Sequence, residues 1–173
     1  MWQRILVATD GSEKARKAEA AGIETARRFG ADILFVHAVM DAPSDTEYGG
    51  IEEALRAMGP QPLGSLHPEN LVEGVAQATG KQDLETPHEA LHAFGHRLLE
   101  QAAERAREAG VAVDTRLADG KPAQVIADVA SQEGADLIVV GTRGLGGLQG
   151  VLVGSVARSL VQDAEQSCLV VKA

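Results

Sequence analysis

The stretch GADLIVVGTRGLGGLQGVLVGS, residues 134–155, places an apolar run directly before a loop that is rich in glycine. The run at 135–140 predicts a buried strand, and residues 156–163 predict a helix that follows the loop. The loop therefore leads from the carboxyl end of a strand to the N-terminus of a helix. Free backbone N–H groups and the positive end of the helix dipole meet at such a point, and both favour a phosphate group.

Two common phosphate-binding motifs are absent from this loop. The P-loop form, G-x-x-x-x-G-K-[ST], needs a Gly-Lys-Ser or Gly-Lys-Thr that the sequence does not contain. The dinucleotide form, G-x-G-x-x-G, fails because glycines at 144 and 146 would require a third glycine where Gln149 stands. On glycine content alone, a flexible turn and an anion-binding loop are equally compatible with the sequence.

Apolar runs and helical segments alternate along the rest of the chain. Five runs rich in Val, Ile, Leu and Ala predict strands, at 4–9, 32–39, 111–117, 135–140 and 168–171. Three longer segments predict further helices, at 13–29, 86–109 and 121–134. Runs this apolar suit strands that are covered on both faces, as in a parallel sheet. The alternation predicts an α/β fold, and the length of 173 residues fits one domain.

Residues 41–85 form an unusually long connection between the second strand and the next long helix. Prolines and glycines interrupt it, but apolar residues recur at helical spacing. They form two stripes, Ile51, Ala54, Leu55 and Met58, then Leu71, Val72, Val75 and Ala78. We expect two short amphipathic helices that pack on the domain or on a partner subunit. A disordered insertion is the alternative that composition leaves open.

Composition and charge exclude several classes of protein. The net charge of −9 argues against a nucleic-acid-binding protein, which needs a basic face to neutralise phosphates. No apolar run approaches the roughly 18 residues that cross a bilayer, and the N-terminus lacks the pattern of a secretory signal. We expect a soluble cytoplasmic protein. The single cysteine, Cys168, lies in an apolar run and is interpreted as an inert thiol in a buried strand.

A longer spacing in the glycine-rich loop is more specific than its glycine content. Gly141, two residues, Gly144, nine residues, Gly154 and Ser155 follow one another in a pattern that resembles the nucleotide-binding signature of the universal stress protein family. Four further segments resemble the strands and helices of that family: ILVATDGSEKARKA, FVHAV, GADLIVVGTRGLGGL and GSVARSLVQDAEQSCLVVK. Together they cover nearly the whole chain except residues 41–85. The sequence is thus similar to the ATP-binding class of the family.

The resemblance implies a single-domain, adenine nucleotide alpha hydrolase-like fold over residues 1–173, with an insertion at about 41–85. In that fold five parallel strands lie in the order 3-2-1-4-5, with helices on both faces. The order reverses between strands 1 and 4, and ligands of open α/β sheets bind beyond the carboxyl ends of the strands at such a reversal. Here the ends that meet are Ala8, Thr9 and Asp10 on one strand, and Val140 and Gly141 on the other.

The resemblance also implies contacts to the phosphates of a bound ATP or AMP. Gly144, Gly154, Ser155 and Val156 would surround the phosphates with backbone amides and the Ser155 hydroxyl. Arg143 occupies a variable position of the signature and could add positive charge. Either nucleotide is compatible with the pattern.

The remaining contacts would be made to the base and the sugar. Val140 and Gly141 would pass close to the ribose or base, and the backbone of Ala38 would meet adenine. Asp10 would repel phosphate, so its expected partners are ribose hydroxyls, an adenine amine or a bound Mg²⁺. A turn residue that closes the first strand is the structural alternative for Asp10.

Members of the family usually form homodimers, and the resemblance extends this to a dimer through the last strand, residues 168–172. No catalytic set of residues emerges from the sequence, so any ATP hydrolysis should be slow. A signalling or stress-response module with an unidentified regulatory partner is the favoured function. The alternative is a nucleotide-independent interaction protein that works through dimerisation and residues 41–85.

Histidines form the last group of candidate residues. His88, His92 and His96 are four residues apart, so they share one face of a predicted helix. A zinc site would need a further carboxylate or histidine, which neighbouring Glu89 and Glu100 do not define. The spacing therefore favours a solvated or interface stripe. His37, inside an apolar strand, is predicted to be a packed core histidine.

Overall fold

One parallel sheet organises the molecule, in a computed structural model that describes residues 1–40, 45–58, 67–142 and 153–172. Its strand order is β3-β2-β1-β4-β5, as the family resemblance implied. Every neighbouring pair of strands is parallel. The strands are β1 (Arg4–Ala8), β2 (Asp32–Val39), β3 (Val113–Asp119), β4 (Leu137–Gly141) and β5 (Ser167–Val171).

Helices cover both faces of the sheet. Alternate residues of β1, β2 and β4 point to opposite faces, and each set has its own helical partners. Ala18 and Ala26 of one helix and Leu99 of another pack on the first face, and Ile126 and Leu160 of two others pack on the second. The described helices are α1 (Glu13–Phe29), α2 (Asp45–Met58), α3 (Leu71–Thr79), α4 (Pro87–Glu108), α5 (Pro122–Gln132) and α6 (Ser155–Asp163).

The inner strands are buried on both faces of the sheet, but the two edge strands are not. Ile5, Leu6 and Val7 of β1 have no exposed surface. On the edge strand β3, by contrast, Thr115 and Arg116 are exposed. The prediction of strands buried on both faces is therefore wrong for β3 and β5, because an edge strand has a neighbour on one side only.

Cys168 shows the consequence of that edge position. The sequence predicted a thiol in a buried strand, but Cys168 is only half-buried on β5. Its Sγ lies 3.6 Å from the carbonyl oxygen of Leu160 on α6. Partial burial raises the pKa of the Cys168 thiol, which keeps the group protonated at neutral pH and agrees with an inert role.

Capping residues fix where two of the long helices begin. The Ser12 hydroxyl accepts a hydrogen bond from the Ala15 amide at 3.1 Å at the start of α1. At the start of α4, Thr86 Oγ1 accepts from the Glu89 amide at 3.2 Å, and the Glu89 carboxylate accepts from the Thr86 amide at 3.0 Å. This reciprocal pair is a capping box, which the sequence TPHE predicts.

Residues 45–58 and 71–79 form the two short helices that the apolar stripes predict. Ile51 and Leu55 of α2, and Leu71 and Val75 of α3, are buried. They pack together with residues that include Phe94 and Leu98 of α4 and Val39 of β2. Both helices therefore pack on the domain itself. Residues 41–44 and 59–66, and the side chain of Met58, lie outside the described part.

A buried carboxylate joins the end of β1 to two helices. Glu19 of α1 is 2% exposed. The Thr9 hydroxyl donates a hydrogen bond to Glu19 Oε1, and Arg105 of α4 donates to Oε2 at 2.5 Å. Because a buried charge is costly unless it is paired, this network fixes Thr9, α1 and α4 relative to one another.

We predict that Arg105→Met lowers the free energy of unfolding by about 1–3 kcal/mol, because the buried Glu19 carboxylate loses its charged donor. Arg107→Met is the matched control, since Arg107 is exposed on the same helix, and it should change the free energy by at most about 0.5 kcal/mol. Urea unfolding of both variants measures the difference. Equal costs for the two variants would contradict a structural role for the pair.

Candidate functional site

The strand order reverses between β1 and β4, which by the general rule for open α/β sheets puts an opening beyond the carboxyl ends of these two strands. Val7 of β1 pairs with Val139 of β4, so the last residues of the two strands run side by side. After β1 the chain turns into α1 on one face of the sheet, whereas the chain after β4 returns through α6 on the other face. In open α/β sheets, connections that leave in opposite directions create a crevice beyond the strand ends. The predicted site residues Ala8, Thr9, Val140 and Gly141 border this space.

A hydrogen bond closes the base of the glycine-rich loop. The Gly154 amide donates to the carbonyl oxygen of Thr142, and the Thr142 amide donates to the carbonyl oxygen of Val171 at 3.0 Å. The start and the end of the loop are therefore held together beside the β4–β5 pair. Arg143 and Gly144, both predicted to contact phosphate, lie outside the described residues.

The N-terminus of α6 is placed at this opening. Gly154 is its N-cap, with φ −69° and ψ 164°, and as a glycine it has no side chain with which to cap the helix. The first amides of a helix have no acceptor within the helix, which applies here to Ser155, Val156 and Ala157. The first turn of α6 holds no acidic residue. This helix end can therefore donate hydrogen bonds to an anion.

Gly154 has a different role from the one that its place in the signature suggests. Its amide is committed to Thr142, so this glycine supplies space beside the helix end and no donor to a ligand. Its backbone conformation is one that any residue adopts, so the absence of a side chain, rather than special backbone freedom, is what it contributes.

The turn after β1 holds the predicted acidic residue. Asp10 Oδ1 accepts a hydrogen bond from the Ser12 amide at 3.0 Å. Gly11 between them has φ +81°, a conformation that L side chains rarely adopt. Asp10 thus closes the turn before α1, as the structural alternative for it predicted, and this contact fixes its carboxylate at the carboxyl edge of β1.

His37 holds the end of β2 against the end of β1. Its Nδ1 lies 2.8 Å from the carbonyl oxygen of Thr9, and because a carbonyl only accepts, Nδ1 carries the proton and donates. The ring is 7% exposed and stands edge-on to Phe94, so the prediction of a packed core histidine is confirmed. The next residue, Ala38, is half-buried at the same edge of the sheet.

Burial keeps the His37 imidazole neutral. Desolvation lowers the pKa of His37, and the hydrogen bond to Thr9 and the charge of Asp10 oppose this only in part. The neutral His37 ring can therefore link the ends of β1 and β2 without placing an unpaired charge beside the opening.

Two residues at this edge were missed by sequence reasoning. Thr142 bonds to Val171 and Gly154 through its backbone, and the type of its side chain does not predict these bonds. Glu19 could have been found, because it falls on the stripe that Ala15, Ala18 and Gly22 form on α1. An acidic residue on a buried stripe predicts a specific partner.

A separate cavity of about 450 Å³ lies between α4, β3 and the segment after α3. Lys81, His96, Arg97 and Arg107 are among its lining residues. One of these side chains, Arg97, is paired with Glu100 at 2.7 Å. This cavity lies away from the strand reversal and includes none of the predicted site residues.

The sequence model of the universal stress protein family matches residues 1–172. The chain belongs to the universal stress protein family. Universal stress protein YxiE of Bacillus subtilis is 30% identical over 173 residues, which cover 99% of this chain and 100% of that one. A universal stress protein of Thermus aquaticus is 32% identical with the same coverage.

Solved structures of universal stress proteins share the fold. UspA of Lactobacillus plantarum has a TM-score of 0.68 at 21% identity, covering 98% of this chain and 97% of that one. A universal stress protein in complex with cAMP has a TM-score of 0.61 at 23% identity, with coverages of 98% and 97%. A family protein of Arabidopsis thaliana with AMP bound has a TM-score of 0.61 at 19% identity, with coverages of 98% and 91%.

None of the helices in the described part of the chain combines the length and hydrophobicity that a bilayer-spanning segment requires.

We predict that His37 makes the protein less stable as the pH falls from about 7.5 to 5.5. The unfolded chain binds a proton at His37 near pH 6.5, whereas the folded protein does not until a lower pH, so protonation favours unfolding. His37→Asn keeps a donor for Thr9 but does not titrate. The free energy of unfolding of the wild type should therefore fall more steeply than that of the variant, by at most about 1.4 kcal/mol per pH unit.

Urea unfolding at several pH values measures both slopes. The other histidines and the acidic groups are common to the two proteins, so their contributions cancel in the difference. Parallel slopes would show that His37 does not remain neutral in the folded protein.

Proposed function

We propose that this universal stress protein binds an adenine nucleotide, ATP or AMP, at the carboxyl ends of β1 and β4. The observation that carries the proposal is the N-terminus of α6. Its N-cap is a glycine, which has no capping side chain, and its first turn holds no acidic residue. It is also held against the end of β4 by the hydrogen bond between Gly154 and Thr142. A phosphate group satisfies the donors and the dipole of such a helix end.

The phosphates would lie at the start of α6. The amides of Ser155 and Val156 and the Ser155 hydroxyl would donate to phosphate oxygens, and Gly154 would leave the space that the phosphates need. Gly144 would add a backbone donor and Arg143 a positive charge from the loop. Arg143 would pair with a phosphate beyond the first one. ATP has such phosphates and AMP does not, so ATP would make more contacts with the loop.

The sugar and base would extend from α6 towards β2. Val140 and Gly141 would contact the ribose, with Ala8 and Thr9 forming the floor of the opening. The backbone of Ala38 would meet the adenine, since His37 holds this end of β2 beside Thr9. Asp10 would accept hydrogen bonds from ribose hydroxyls or an adenine amine, or would bind a Mg²⁺ that accompanies ATP.

Ligands of structurally similar proteins support this choice. Relatives with the same fold are in complex with cAMP, dAMP and AMP. The three ligands share an adenine base, a sugar and one phosphate. These are the groups that an opening with one uncapped helix end and a strand edge can hold.

Nucleotide occupancy would act as a signal. A ligand that bridges α6 and the strand ends would change the surface offered to a regulatory partner. Phosphoryl transfer needs a positioned nucleophile and charge stabilisation, so we expect ATP hydrolysis to be slow. The cytoplasmic location and the absence of nucleic-acid binding stay predictions from composition.

A homodimer through β5 is the second part of the proposal. β5 is an edge strand, and an uncovered edge can pair with another chain. Leu169 on β5 and Val161 on the adjacent α6 are 37% and 58% exposed, which places apolar side chains beside that edge. A nucleotide-independent interaction protein would keep this dimer but would not need the α6 site.

We predict that Mg·ATP and AMP each bind saturably and that Gly154→Val weakens binding by about tenfold or more, which is about 1.4 kcal/mol. Valine accepts the backbone conformation of Gly154, but its side chain would fill the phosphate space. Isothermal titration calorimetry with nucleotide-free protein measures both affinities. Gln162→Ala, on an exposed position of the same helix, is the control and should bind like the wild type.

Two results would contradict the nucleotide proposal. One is the absence of heat from folded wild-type protein with either nucleotide. The other is equal affinity in Gly154→Val and the wild type. The second result would place the ligand elsewhere on the molecule.

We predict that Leu169→Lys converts the dimer into a monomer, because a charge at the centre of β5 cannot be buried against a second copy. Leu169→Val is the matched control, since it keeps an apolar side chain suited to a strand, and it should remain dimeric. Light scattering coupled to size-exclusion chromatography gives the mass of each variant. A wild type that elutes as a monomer, or a Leu169→Lys variant that stays dimeric, would rule out pairing through β5.

A further inference from the structure

Three side chains with metal-binding groups meet near the start of α4. His88 and His92 lie one helical turn apart on α4, and Asp119 is the last residue of β3. The Nε2 atoms of the two histidines lie 2.9 and 2.7 Å from the same oxygen, Asp119 Oδ1. The three ligand atoms are all within 4.8 Å of one another.

The packing of α4 on the sheet brings these residues together. A Cβ at Gly95 would lie only 2.7 Å from His37 Cδ2, so the absence of a side chain there allows α4 to approach β2 closely. His92 precedes Gly95 by about one turn of the helix. Asp119 pairs in register with Val39 at the end of β2. The histidines therefore lie over the carboxyl end of β3.

We propose that His88, His92 and Asp119 form a binding site for a divalent transition-metal cation of the zinc class. Two imidazoles and one carboxylate are ligands that zinc uses, with a fourth position left for water or another ligand. Bond lengths near 2.0–2.1 Å in a tetrahedral site place ligand atoms about 3.3 Å apart. The two Nε2–Oδ1 distances would need to open by about 0.5 Å to reach that separation.

The three side chains have the freedom for this adjustment. His88, His92 and Asp119 are 54%, 30% and 47% exposed. The cation would also be reachable from solvent. In the absence of metal, the Nε2–H group of each imidazole donates to the Asp119 carboxylate. On binding, that proton would move to Nδ1 and the Nε2 lone pair would be given to the metal.

The acidic residues nearest to the two histidines on α4 already have other partners. The Glu89 carboxylate accepts from the amides of Glu85 and Thr86, and Glu100 is paired with Arg97. The His96 ring is 6.5 Å from that of His92, and His96 does not belong to the group. The sequence favoured a solvated or interface stripe of histidines because no further carboxylate or histidine was apparent. Asp119, which lies 27 residues beyond His92, supplies the carboxylate that was missing.

This site uses different residues from the proposed nucleotide site, although Ala38 of that site pairs in register with Ala118, the residue before Asp119. It joins the start of α4 to the end of β3, with β2 between it and β1. Its imidazole ligands select against Mg²⁺, which prefers oxygen ligands. A bound cation would cross-link α4 to the sheet and stabilise the folded protein.

The test uses the full chain without an affinity tag, stripped of metal with EDTA. Calorimetric titration with Zn²⁺ in the absence of nucleotide should give one ion per chain with micromolar or tighter affinity. His88→Gln, His92→Gln and Asp119→Asn should each weaken binding by about tenfold or more. His96→Gln and Asp10→Asn are the controls and should bind Zn²⁺ like the wild type.

A second measurement guards against misfolded variants. Zn²⁺ should raise the midpoint of thermal unfolding of the wild type and of His96→Gln, but not that of the triple variant with His88→Gln, His92→Gln and Asp119→Asn. Equal zinc affinity or an equal shift in the wild type and the triple variant would overturn the proposal. So would a loss in His96→Gln as large as that in His92→Gln. Neither result would bear on nucleotide binding.

Discussion

The parallel pairing of β1 with β2 on one side and β4 on the other is the constraint on which the other features depend. β1 is buried on both faces, and its connections and those of β4 leave the sheet in opposite directions. The general rule for open α/β sheets then puts a ligand crevice beyond the ends of β1 and β4. The topology decides where the opening lies, and the residues around it decide which ligand it can bind.

Local interactions make the edge of this opening rigid. The end of β1 is held by Thr9, whose hydroxyl donates to Glu19 and whose carbonyl accepts from His37. The end of β4 is held by Thr142, which joins both β5 and the start of α6. Backbone groups and a helix end are thus fixed before any ligand arrives. Such preorganisation reduces the entropy that binding would otherwise lose.

Much of the fold could be predicted because local and long-range signals agree. The uniform apolar runs predicted the inner strands, the TPHE sequence predicted the start of α4, and the stripe containing Ile51 and Leu55 predicted α2. The strand order came from the family resemblance, because single-sequence patterns do not specify which strands are neighbours. The exposure of Cys168 was misjudged for the same reason, since an edge strand and an inner strand can have similar sequences.

The limits of prediction for the sites are also physical. The signature around Gly154 and Ser155 indicated the helix end, but not that the Gly154 amide is used within the loop. The partnership of His92 with Asp119 depends on the distance between α4 and β3, which Gly95 sets and no local pattern reveals. Arg143 and Gly144 lie outside the described residues, so their roles stay predictions.

The central claim is that the start of α6 and the end of β2 hold an adenine nucleotide. Backbone amide chemical shifts, followed by NMR during a titration with AMP, test it most directly. We expect saturable shifts at Ser155, Val156 and Ala38, with Gly30 and Gly134 at the opposite edge of the sheet unchanged. Shifts confined to other regions, such as the cavity beside Arg97 and Arg107, would contradict the account.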